Sequence, residues 1–92
     1  MSYVLSDVSL YTSMSISFDL RYQYRNVLTV SSIKNDVTVI LFSQQLITDW
    51  GNPSITKTFD ITDYDNITIS ISDVFFTDDK YSYINYFNIV LQ

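Results

Sequence analysis

Between Val8 and Tyr24 nearly every second residue is apolar or aromatic: Val8, Leu10, Met14, Ile16, Phe18, Leu20, Tyr22 and Tyr24, with Thr12 the exception, while the residues between them are mostly Ser, Asp, Arg and Gln. A period of two over seventeen residues is the signature of extended chain with one buried and one wet face, because successive β side chains point to opposite sides. A run this long exceeds the usual 3 to 10 residues of a strand, so the pattern predicts either a break near Tyr11 to Ser13 or one strand bent across two sheets. A half-wet strand belongs to an antiparallel sheet.

Composition supports this reading. Alanine and glutamate are absent, and Val, Ile, Thr, Tyr, Phe and Trp make up nearly half of the chain. These side chains lose rotamer freedom on a helix and fit a pleated surface. With 47% hydrophobic and 16% aromatic residues the chain is globular, and 92 residues suffice for one core and no second one.

Further along, VLTV leads through SSIKND, where Asn35-Asp36 predicts a hairpin turn. VTVILF is apolar on both parities after Thr38, which reads as a central core strand covered on both faces. Gly51-Asn52-Pro53 marks a loop after Trp50. Ile55, Lys57, Phe59 and Ile61, then Ile67, Ile69 and Ile71 beyond the polar TDYDN turn, predict two strands; Asp78-Asp79-Lys80 predicts a last turn, and YSYINYFNIVLQ a partly or wholly covered C-terminal strand. The expectation is an all-β antiparallel sandwich, jelly-roll or Ig-like, of about seven or eight short strands without significant helix, forming one domain over residues 1–92.

The same composition narrows the chemistry. Histidine, glutamate and cysteine are absent, which removes the usual bases, the thiol nucleophile and the usual zinc ligands; a serine nucleophile has no histidine to activate it, and a single glycine cannot form a phosphate loop. The chain is therefore expected not to be an enzyme. A net charge of −5 disfavours nucleic acid and anionic membrane surfaces. The N-terminal MSYVLSDVSL has no basic segment followed by a long apolar run, and VTVILF is far too short to cross a bilayer. No signal peptide or transmembrane segment is expected.

Candidate binding groups are few. Asp60, Asp63 and Asp65, with Asn66, crowd hard oxygen ligands into FDITDYDN, as calcium requires, but the stretch has neither the glycine nor the terminal glutamate of a known calcium loop. Turn residues bonded to their own backbone are the better expectation, and no cofactor or metal is assigned. Asn66-Ile67-Thr68 matches the glycosylation pattern, which chance explains in a chain so rich in Asn, Ser and Thr. Trp50 and Tyr64 are candidate recognition groups beside the Asp loop, and Tyr81, Tyr83 and Tyr86 a candidate interaction surface, since such rings combine large area with a polar handle. Ser/Thr ladders at Ser9, Ser13, Ser15, Ser17 and at Thr68, Ser70, Ser72 are almost uncharged, and the chain shows few of the lysines, prolines or bulges that protect sheet edges. Occupied edges, in an oligomer or larger assembly, are the expectation.

The stretch Lys57 to Ser72, KTFDITDYDNITISIS, resembles a segment of small β-sandwich domains in phage and virus structural proteins, where a T-x-x-L/I-x-x-Y/F-x-x-I-x-I pattern turns from one strand into the next. The resemblance covers under a fifth of the chain. It implies a capsid, tail or fibre component, placed in the virion or host cytoplasm, and carries no catalytic residue. Two functions follow as expectations: a structural or assembly protein making homo-oligomeric or other protein contacts, and, as the alternative, a carbohydrate-binding or adhesion module using Trp50, Tyr64 and the Asp loop.

Overall fold

The computed structural model describes residues 1–21, 26–46, 54–72 and 83–92, the side chains of Arg21, Tyr83 and Asn85 excepted. Seven strands are present: β1 (Ser2–Ser6), β2 (Ser13–Arg21), β3 (Val27–Lys34), β4 (Val37–Gln45), β5 (Ser54–Asp60), β6 (Asn66–Ile71) and β7 (Tyr83–Leu91). They form two antiparallel sheets, one of order β1-β6-β3-β4 and one of order β5-β2-β7, consistent with a β-sandwich. No helix among the described residues is long and apolar enough to cross a membrane.

The alternation seen in the sequence generates the core. Met14, Ile16, Phe18 and Leu20 of β2, Leu28 and Val30 of β3, and Ile67, Ile69 and Ile71 of β6 are all buried in one cluster. Three ring contacts fasten it: Phe18 stacks on Phe87 at 5.8 Å, Tyr3 of β1 meets Phe87 of β7 at 6.3 Å, and Phe42 of β4 meets Phe59 of β5 edge-on at 5.3 Å. The last two span the sheets, so β1 lies over β7 on one side and β4 over β5 on the other.

The expected break in the Val8–Tyr24 run is real. β2 begins at Ser13, and the preceding segment crosses between the sheets, with Asp7 in the left-handed region (φ 58°). Val8 plugs the crossing and donates its N–H to the Asp65 carbonyl at 3.1 Å. Leu10, counted on the buried face by parity, is 91% exposed because it sits in this turn. Within the segment Lys57 to Ser72 the chain changes sheets again, ending β5 in one sheet and forming β6 in the other. Ile61 fills that arch, fully buried, with its N–H on the Thr12 carbonyl at 3.0 Å.

One further expectation is corrected, and the partly covered C-terminal strand is found as expected. VTVILF is not a central strand but β4, the outer strand of its sheet, with Val37 60% and Ile40 62% exposed. Its register with β3 steps from Val30↔Phe42 to Ser31↔Ile40, leaving Leu41 as an extra residue. This bulge turns both Leu41 and Phe42 toward the core and resets the parity before it. That is why the strand reads as apolar on both faces. The C-terminal strand β7 is also an edge, and its register with β2 slips between Phe18↔Phe87 and Leu20↔Ile84. Its Phe87, Ile89 and Leu91 pack on the core, whereas Tyr86 and Val90 remain exposed.

Candidate functional site

Four strands, β1, β4, β5 and β7, form the sheet edges. β1 is only five residues long, β4 carries the Leu41 bulge, and β7 carries a register slip. On β5, Lys57 lies opposite the buried Ile16 and therefore points inward, its Nζ 5.9 Å from the Phe42 ring centroid. Short strands, bulges and inward-pointing charges are devices that blunt edge pairing. The bulge of β4, the slip of β7 and the inward Lys57 of β5 are features of that kind, which the sequence did not show.

The outer face of the four-stranded sheet is different. Its registers align side chains in rows across all four strands. One row is Ser2, Ser70, Thr29 and Ser43; the next is Val4, Thr68, Ser31 and Ile40; beyond them the pairs Ser6↔Asn66 and Ile33↔Thr38 lie on either side of the point where the β3–β6 ladder has ended. Every inward neighbour on β3 and β6, from Leu28 and Val30 to Ile67, Ile69 and Ile71, is buried, so parity places these rows outside. None of these twelve residues is charged, although the chain carries −5. Hydroxyls bond along the row, Thr29 Oγ1 to Ser43 Oγ at 3.2 Å.

Asn66 does more than occupy a row. The backbone ladder between β3 and β6 ends at Ser31↔Thr68. Beyond it, the Asn66 side chain takes the place of a paired strand residue: Ile33 N–H donates to Oδ1 at 2.8 Å, and Nδ2 donates to the Ile33 carbonyl at 2.9 Å. Oδ1 also accepts the hydroxyl of buried Ser32 at 3.3 Å. The β3–β4 hairpin, turning on Asn35 and Asp36 with both φ positive (52° and 61°), is therefore held where main-chain pairing stops. A counterpart closes the other end of the ladder, where buried Asn26 donates Nδ2 to the Ser72 carbonyl at 2.7 Å and Val27 N–H donates to Ser72 Oγ at 2.8 Å.

The residues proposed from sequence are only partly brought together. Asp63, Tyr64 and Asp65 line a cleft of about 180 Å³ together with Ser32, Lys34 and Asn35. Asp63 holds a left-handed turn (φ 70°), and Tyr64 is half-buried against the core. Asp60 is spent locally, since its Oδ1 accepts both the Thr62 hydroxyl at 2.6 Å and the Thr62 N–H at 2.9 Å. These bonds, the hydroxyl first, hold its carboxyl below the ordinary carboxylate range. Among the described residues no group of three acidic side chains is placed to hold a metal ion. Trp50, Tyr81 and the Asp78-Asp79-Lys80 turn lie outside the described residues, as does the Tyr83 side chain. Tyr86 is exposed on the outer side of β7. The Ser13, Ser15 and Ser17 ladder lies on β2, with Ser15 Oγ 2.9 Å from Thr58 Oγ1, whereas Ser9 sits in the turn before it. The charge-free rows were visible in sequence only as the Thr68, Ser70 ladder, because the contributions of β1, β3 and β4 depend on pairing.

No protein family, curated protein or solved structure matches this chain.

Proposed function

We propose that this protein is a non-enzymatic structural or assembly module that works through contacts with other protein surfaces, including copies of itself. The observation that carries the reading is the outer face of the β1-β6-β3-β4 sheet. Solvated faces of soluble domains usually intersperse charges of both signs, and this face holds none over two full rows and the flanking pairs Ser6↔Asn66 and Ile33↔Thr38. Such a face has little desolvation to overcome when covered, since neutral hydroxyls are far cheaper to bury than ions and can bond to one another. Guarded edges fit the same role by preventing open-ended strand addition while leaving the face available. The residue types argue in the same direction, because the chain has no histidine, cysteine or glutamate for acid, base or nucleophilic work. The resemblance over Lys57 to Ser72 adds a virion component as the class of assembly. Light scattering over a concentration series tests the reading, with a mass above that of one chain expected.

A carbohydrate-binding or adhesion role is the second reading, favoured by the cleft where Tyr64 stands between Asp63 and Asp65 beside Lys34. Oligosaccharide binding lost in Tyr64→Ala with the fold retained is the result that would support it.

A further inference from the structure

We infer that Asn66, the acceptor in the chain's Asn66-Ile67-Thr68 glycosylation triplet, is closed to that modification by the fold: a glycan on its Nδ2 and the clamp on Ile33 exclude each other, so the native domain carries Asn66 bare. The other N-x-S/T triplet, Asn52-Pro53-Ser54, is disabled by its proline. The inference is independent of the assembly reading. Its first ground is the hydrogen that the clamp uses. In an extended strand the N–H and C=O of one residue point to the same side, and Asn66 meets both groups of Ile33, Oδ1 accepting the N–H at 2.8 Å and Nδ2 donating to the carbonyl at 2.9 Å. Two such bonds side by side require the Nδ2 hydrogen that lies on the same side of the carboxamide as Oδ1. N-glycosylation forms the Nδ2–C1 bond and breaks the bond from C1 to the diphosphate of the donor, and the displaced Nδ2 proton leaves with the diphosphate. The primary amide becomes a secondary one, which favours its trans form. In that form the sugar carbon stands on the Oδ1 side, in place of the hydrogen that the Ile33 carbonyl accepts. Placing the sugar on the other hydrogen requires the cis form, disfavoured on the order of 50-fold or more. The second ground is the surroundings. Oδ1 also accepts the hydroxyl of buried Ser32 at 3.3 Å, so the carboxamide cannot turn over without orphaning that hydroxyl. The triplet itself is held extended, with Ser6↔Asn66, Leu5↔Ile67 and Val4↔Thr68 paired on β1 and Ser31↔Thr68 on β3. A chain glycosylated before it folds therefore loses the anchor of its β3–β4 hairpin, and folding must precede or escape N-glycosylation.

Two synthetic chains of residues 1–92 test this, one bare and one carrying a single N-acetylglucosamine on Asn66 Nδ2, with Asn66→Ala as the reference for loss of the clamp alone. In the glycosylated chain the Ile33 N–H should exchange at least about tenfold faster than in the bare chain, and the urea midpoint should fall at least as far as in Asn66→Ala, since the lost bonds are the same. A glycosylated chain that fails to fold where Asn66→Ala folds supports the inference equally. A glycosylated chain that keeps the bare chain's Ile33 protection and urea midpoint overturns it. Access is read separately. With oligosaccharyl transferase and its lipid-linked donor, the folded bare protein should be modified at Asn66 at least about tenfold more slowly than a peptide of residues 60–72, because the carboxamide and the triplet backbone are both engaged. Equal rates overturn the closure of the site. Should Asn66→Ala also fail to fold, this second measurement decides.

Discussion

Replacing Asn66 with alanine tests the device that fixes the β3–β4 hairpin. The side chain makes two bonds to the main chain of Ile33 and accepts a third from Ser32. Each hydrogen bond contributes about 0.5–1.5 kcal/mol net. The Ile33 groups are solvent-accessible and can regain water, whereas the Ser32 hydroxyl is buried with Ser32 only 1% exposed. The expected loss is therefore about 1–3 kcal/mol, which for a domain of this size lowers Tm by roughly 5–20 °C. Urea unfolding followed by far-ultraviolet circular dichroism gives the free energy, and amide exchange locates it: the Ile33 N–H should lose its protection while that of Val30 keeps it. Asn66→Asp retains the acceptor for Ile33 N–H but loses the donor to its carbonyl, and should fall between wild type and alanine at neutral pH. An alanine variant within about 0.3 kcal/mol of wild type, with Ile33 still protected, would refute the claim that the side chain substitutes for strand pairing.

Other outcomes follow from the same structure. Phe18→Ala removes a fully buried ring that stacks on the half-buried Phe87 and should cost about 3–5 kcal/mol in chemical denaturation; Leu10→Ser, in an exposed turn, should shift stability by no more than about 0.5 kcal/mol. The Asp60 carboxyl has a folded pKa depressed by Thr62, so its contribution is present above the unfolded carboxylate range and is lost as pH falls through the lower folded value; NMR titration should show the depression shrink in Thr62→Val, which removes the hydroxyl bond and keeps the N–H bond. Raising ionic strength should strengthen self-association, because it screens repulsion between chains of charge −5 while the contact itself contains no ion pair to weaken.

The fold class was legible because period-two alternation reports burial directly, and β2, β5 and β6 follow it without interruption. Asn35-Asp36 was legible because a two-residue turn with both φ positive selects those side chains. What misled was a bulge. Leu41 adds one residue to β4, so the adjacent Leu41 and Phe42 both pack on the core while Val37, Val39 and Ile40 stay exposed, and a linear pattern cannot distinguish that from a strand covered on both sides. Leu10 failed for a related reason, since parity does not announce where a chain leaves one sheet for the other. The edge guards were illegible because an inward lysine such as Lys57 looks, in sequence, like any exposed lysine. The candidate site was legible only in part: serine and threonine ladders show in single strands, but the absence of charge across four strands emerges only when β1, β6, β3 and β4 are placed side by side.

The central claim, that this domain assembles through an uncharged face, is tested most directly by its mass in solution. Light scattering on the wild-type chain, from micromolar to the highest soluble concentration at physiological ionic strength, should show the mass rise above 10.7 kDa. A mass fixed at 10.7 kDa over the whole series would contradict the account.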